Sequence, residues 1–182
     1  MSDNQTIQSN KPDEQELLNN VVNALERVDI QTKQMIFSMS CGMSDLEIIR
    51  CFNQQALDAF NILMGITTRM KKEGECKVGG YKALFDNAIK INAKLPLDKF
   101  TLLILEYAPE IYSQNDDVFL NMAIPETNIK VGNEFSIFRS EMFKKLWKQM
   151  NQSDKNEMKN KIVLLTTYAH TYLYKTILSI KS

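Results

Sequence analysis

Histidine is almost missing from this chain of 182 residues: His170 is the only one, and the three cysteines, Cys41, Cys51 and Cys76, stand in no C-x-x-C spacing. Zinc sites and thiol–imidazole catalysis need further ligands or a base in a recognisable pattern, and no such pattern surrounds any of these residues. His170 also has no glutamate three residues before it, so the helical di-iron pattern is absent. The cysteines read as reduced, partly buried thiols. Glycine and proline are scarce, six and four, and they punctuate long periodic segments; strands joined by frequent tight turns need more of both. No apolar stretch approaches the roughly 18 residues that span a bilayer, and Met1 to Thr6 lack the basic and apolar regions of a secretory signal. No membrane span and an intracellular location are the expectation. Net charge is missing as well: 22 basic residues balance 22 acidic ones, so no global field draws in nucleic acid or anionic lipid, and near-neutrality favours self-association.

The residues that could carry chemistry fail on geometry. Glu106 and Glu110 are four apart, but Pro109 breaks the helix between them, and Asp116 beside Asp117 reads as a helix cap. The stretch from Lys77 to Lys82 has two glycines and two lysines without the strand or the spacing of a phosphate loop. The expectation is a protein with no catalytic residue, no metal and no cofactor.

What is present is helical periodicity. Apolar residues make up 44% and charged ones 24%, as in ordinary globular domains. Residues 1–12 are polar and read as a disordered tail ending at Pro12, a helix-starting position. Residues 13–73 read as N-terminal helices. Leu17, Val21, Leu25 and Val28 form a stripe, a break falls near Asp29, and Ser44 with Glu47 makes a capping box for a helix running to about Lys72, with Gly74 as its stop. Residues 74–80 contain three glycines and read as a hinge. Residues 81–182 read as a C-terminal helical bundle: helices at 81–91 and 97–108, a short one after Asp117 ending before Pro125, a loop at 129–133 turning on Gly132, and a final antiparallel pair at 135–150 and 154–180 with Ser153 as N-cap. The fold class is all-α, a single domain of six to eight helices in which an N-terminal hairpin packs on the bundle.

Charge is uneven along this bundle. Residues 98–135 hold seven acidic and two basic side chains, net −5, whereas residues 136–182 hold nine basic and three acidic, net +6. In the penultimate helix Arg139, Lys144, Lys145 and Lys148 interleave with Phe138, Phe143 and Trp147, residue types used by interfacial helices and single-strand nucleic-acid grooves. Phe143, Lys144, Trp147, Lys148 and Arg139 are therefore the candidate contact residues, with an acidic counterpart in the same chain or across a subunit contact. The partner expected is a protein or a second copy. The second reading is nucleic-acid binding, which requires Lys144, Lys145, Lys148, Lys155 and Lys159 to converge on one exposed face. Met35, Met39 and Met43, four apart, read as core filling.

The run from Leu146 to Met150, then Ser153 to Lys155 and Met158 to Tyr168, together with Asp116 to Leu120 and Phe135, resembles the C-terminal helical pair of uncharacterised proteins from large eukaryotic DNA viruses. The resemblance covers residues 97–175. It implies a viral protein of the host cytoplasm or nucleus, or of the virion, and carries over no catalytic residue; the role expected of the chain as a whole is structural or adaptor-like protein–protein interaction.

Overall fold

Ser44 and Glu47 form the reciprocal cap that their spacing predicts. The Ser44 hydroxyl accepts from the Glu47 backbone N–H at 3.2 Å, and the Glu47 carboxylate accepts from the Ser44 N–H at 2.8 Å. That backbone donor, and the Ser44 hydroxyl after it, hold the Glu47 carboxyl below its ordinary range. The cap launches a helix of 25 residues.

The computed structural model describes residues 14–123 and 133–181. They form ten α-helices: α1 Glu14–Glu26, α2 Ile30–Gly42, α3 Asp45–Arg69, α4 Glu73–Cys76, α5 Val78–Ile91, α6 Leu95–Ile104, α7 Ala108–Tyr112, α8 Val118–Asn121, α9 Glu141–Gln149 and α10 Gln152–Lys181. Two 3-10 segments, Leu105–Tyr107 and Glu134–Arg139, complete the path. No strand occurs among the described residues. Seven of the α-helices have seven residues or more, within the expected six to eight, and the all-α class holds.

Boundaries differ where a tertiary contact outweighs a local signal. Helix α3 stops at Arg69, and Lys71 rather than a glycine takes the left-handed position, φ 56°. The N–H groups of Lys72 and Lys71 return to the carbonyls of Thr67 and Thr68 at 2.8 and 3.1 Å, a Schellman closure. Residues 74–80 carry helix, not loop: α4 and the first turn of α5 meet at Lys77, which is also left-handed. Pro109 does not end the helix of residues 97–108; α6 gives way to 3-10 geometry earlier, and Pro109 sits in the first turn of α7, where its missing N–H costs nothing. The segment 135–150 splits at Ser140, whose hydroxyl caps α9 by accepting from the Phe143 N–H at 3.1 Å. Asn151, not Ser153, caps α10, accepting from the Asp154 N–H at 2.8 Å. Pro12, Pro125 and Gly132 lie outside the described residues.

Helices α3 and α10 lie against each other at the centre; α2 packs on α10, and α1 covers the turn from α6 to α7. Arg69 with Asp154 at 2.7 Å, Lys161 with Gln55 at 2.8 Å and Lys175 with the Met43 carbonyl at 2.6 Å tie the two long helices and the α2–α3 corner together. One continuous core runs from Val21 to Ala169, so the N-terminal helices and the C-terminal bundle share it. Eight of the nine phenylalanines are buried in it and only Phe37 is exposed. Phe135, from the second 3-10 segment, sits among Phe52, Phe60, Phe85 and Phe100 with ring centroids 5.1 to 6.4 Å away. Each such burial contributes about 1.5–3 kcal/mol, which explains why a segment with poor intrinsic helicity holds one geometry.

Candidate interaction surfaces

Helix α9 is strongly amphipathic, and its aromatic side chains point inward. Phe143 is 1% exposed and Trp147 0%, so the pair expected at an outer contact belongs to the core. Phe119 of α8 is the reason: its ring lies 5.0 Å from Phe143 and 4.7 Å from Trp147, both edge-on. The Trp147 indole N–H donates to the Asp116 carbonyl at 2.6 Å, which meets the one polar demand that burying an indole creates.

The cations around α9 close on two short segments, 103–107 and 116–123. Arg139 donates from Nε to the Ala123 carbonyl at 2.8 Å and from its terminal nitrogens to the Leu103 carbonyl, the Glu106 carboxylate and the Tyr107 hydroxyl at 3.1, 3.1 and 3.2 Å. Its guanidinium also lies over the Tyr107 ring, 5.1 Å from the centroid. Lys144 donates to the Met122 carbonyl at 2.6 Å. Lys159 is buried and pairs with Asp116, whose carboxyl it holds below the ordinary range by hydrogen bond and charge. Lys155 sits over the Trp147 ring. Elsewhere Lys99 pairs with buried Glu134 at 2.9 Å and Arg27 meets Glu110 at 3.8 Å. The contrast between the acidic and basic stretches is thus largely satisfied inside one chain. Of the five candidate contacts, Arg139, Phe143, Lys144 and Trp147 hold the fold, and Lys148 is exposed, as is Lys145. Lys144, Lys145, Lys148, Lys155 and Lys159 do not form one exposed basic face.

His170 is fully buried and bonded through Nδ1 to the Tyr112 hydroxyl at 2.8 Å, with the two rings stacked at 5.7 Å. Its Nε2 is buried without a hydrogen-bond partner. Burial lowers the His170 pKa from 6.5 to about 4 and raises that of Tyr112, so both are neutral at physiological pH. In the unfolded chain His170 takes up its proton near pH 6.5, before the folded form does. Stability is therefore intact above about pH 6.5 and falls by about 3 kcal/mol as pH drops towards 4. Urea unfolding at about pH 7, 5 and 4 measures this, and His170→Gln, which cannot titrate, flattens the loss. Equal pH slopes in the two proteins would exclude His170 as the cause.

Sequence reasoning missed the outer face of α2. Ile36 and Ser40 turn inward, yet Ile30 is 66% exposed, Met35 44% and Phe37 49%, and Leu46 at the start of α3 is 67% exposed. Lys33, the sole charged residue of α2, is drawn to the Glu26 carbonyl at 2.7 Å. Met35 is exposed, and Met39 and Met43 are half-buried, so the methionine row is not core filling throughout. The signal was available in composition: a helix of 13 residues with one charge and apolar residues on every side is either enclosed or awaits a cover.

No family model and no solved structure matches the chain. An uncharacterised protein of Acanthamoeba polyphaga mimivirus is 51% identical over 178 residues, which is 98% of this chain and 98% of that protein. The chain belongs to this viral family. The likeness expected over residues 97–175 extends through the N-terminal helices as well. In this viral protein no helix among the described residues is long and apolar enough to cross a membrane, and no three His, Cys, Asp or Glu side chains among them are placed to hold a metal ion. Two shallow depressions, about 200 and 180 Å³ including open solvent, lie beside Cys76 and Leu146 and beside Val118 and Ile162; neither includes His170.

Proposed function

We propose that this viral protein is a non-enzymatic interaction module, structural or adaptor-like, working in the infected cell or the virion. The observation that carries it is the exposed apolar part of the α2–α3 corner: Ile30 and Phe37 on one side of α2, Met35 on the other, and Leu46 at the start of α3, in a chain that buries eight of its nine phenylalanines. Large exposed apolar side chains grouped on one element mark contact surfaces more often than scattered single ones do. The α9 residues support this role by holding the scaffold that presents α2. Lys145 and Lys148 remain as a small exposed basic pair.

Affinity capture from infected cells, read by mass spectrometry, tests the proposal with two charge variants. Ile30→Glu combined with Phe37→Glu abolishes recovery of specific protein partners, and Lys145→Glu combined with Lys148→Glu leaves it unchanged. The opposite pattern, together with salt-sensitive recovery of DNA or RNA, would assign the function to nucleic-acid binding instead.

A further inference from the structure

We infer that α7 together with α1 forms an acid-opened latch on α10, held shut by the buried His170–Tyr112 pair and released when the imidazole takes up a proton. The inference goes beyond the interaction role and stands independently of it.

Helical periodicity orients His170. Tyr168 and Tyr172, two residues to either side, lie on the opposite side of α10: Tyr168 beside Cys51 of α3, and Tyr172 under the Lys94 ammonium, 5.1 Å from the ring centroid, where α6 begins. Tyr174, four residues on, shares the His170 side and meets Phe37 of α2 edge-on at 5.9 Å. His170 thus points to the side of α10 taken by α2 and α7, and α1 packs over the turn into α7.

That closed site does not accommodate an imidazolium. Both ring nitrogens of the cation donate; the Tyr112 oxygen receives one, 2.8 Å from Nδ1, and Nε2 is buried without an acceptor. The neighbouring Thr166, Thr167 and Thr171 hydroxyls donate to the α10 carbonyls of Ile162, Val163 and Thr167. Carboxylates on the surrounding elements serve other groups. Glu110 of α7 meets Arg27 of α1 at 3.8 Å, Glu106 of the first 3-10 segment holds Arg139, and Asp29 accepts from the Thr32 N–H at 2.9 Å. Asp98 of α6 pairs with Lys94, Asp45 of α3 with Lys175, and Glu47 caps α3. Glu26 of α1 is exposed, as is Cys41 of α2, and Lys33 of α2 goes to the Glu26 carbonyl. A proton on His170 therefore requires water at Nε2, and water requires the cover to lift.

The cover is the weakly tied part of the fold. Helix α7 has five residues; Arg139 fixes the chain before it at Tyr107, Lys159 reaches the Gln114 carbonyl after it at 3.4 Å, and between these points Tyr112 bonds to α10. Helix α1 and the turn after it rest on Val21, Ala24 and Val28 and on the Arg27 pair, whose partner is itself on α7. Helices α3 and α10 are bound to each other by Arg69 with Asp154 and by Lys161 with Gln55. Opening thus frees α1 and α7 while the central pair stays closed.

Hydrogen exchange of the full chain at about pH 6.5, 5.5 and 4.5, corrected for the intrinsic exchange rate, tests the latch. Amides of α1 and α7 exchange through an opening less costly than the one that exposes α3, and its equilibrium constant rises about tenfold per pH unit, about a hundredfold over the range. His170→Gln removes the rise. Amides of α1 and α7 without such a rise, whatever those of α3 do, overturn the latch, because the cover then opens without freeing the imidazole. Exchange of α1, α7 and α3 at one common free energy overturns it as well, since the chain then opens only as a whole, and so does a rise that survives in His170→Gln. The comparison of α1 and α7 with α3 in the wild-type protein decides even where His170→Gln fails to fold.

Discussion

Trp147→Ala lowers the unfolding free energy by about 3–5 kcal/mol, the cost of emptying a large aromatic site that its surroundings cannot refill. Trp147 is fully buried among Phe119, Phe143 and the Lys155 ammonium, and its N–H is spent on the Asp116 carbonyl. Against the ~5–15 kcal/mol that holds a domain together, that loss brings the variant close to unfolding at body temperature. Chemical denaturation followed by circular dichroism measures it. Because Trp147 is the only tryptophan, the wild-type protein offers an independent check: its emission is shielded from aqueous quenchers until the chain unfolds. If alanine cost under about 1 kcal/mol and quenchers reached the indole in the folded state, Trp147 would be a surface residue after all.

Arg139→Ala is the second large loss, about 3 kcal/mol, at the lower end for breaking a buried ion pair because Glu106 keeps some contact with water. The guanidinium joins four groups on three elements: the carbonyls of Leu103 and Ala123, the Glu106 carboxylate and the Tyr107 hydroxyl. Removing it takes the guanidinium donor from the Ala123 carbonyl and the Glu106 carboxylate, while the Tyr107 hydroxyl keeps the Ala123 N–H at 3.1 Å. Arg139→Lys separates charge from shape: one ammonium cannot span the fork, so lysine recovers less than half of the stability. Full rescue by lysine in urea melts would show that charge alone matters at this position.

Both variants act on one substructure, and the sequence pointed to it for the wrong reason. An amphipathic helix with interleaved Lys and aromatic residues was legible at 141–149, as was the opposite charge of the stretch before it. The direction in which those side chains discharge was not. A lysine has a long apolar stem and a movable head, so the same residue can rim a solvated face or reach a buried carbonyl. Lys144 reaches Met122 and Lys159 reaches Asp116 because α8 lies beneath them. That placement depends on contacts between residues some 20 to 40 positions apart, which local periodicity does not encode. Helix α2 erred the other way. Its methionines suggested interior, and only its position against α10 reveals that Ile30, Met35 and Phe37 stay partly exposed among the described residues.

The sequence by itself determined the helical class, the Ser44 cap, the break at Asp29, the apolar stripe through Val21 and Val28, and the likeness to a viral family, because each is written in spacings of three or four residues or in whole-chain similarity. Tertiary structure decided which polar heads are used internally, why Glu134–Arg139 is 3-10 rather than α, and which apolar face stays in water. Those outcomes follow from which distant element fills the space beside each side chain, and a buried ring or an unmet carbonyl outweighs a local preference of a few tenths of a kcal/mol.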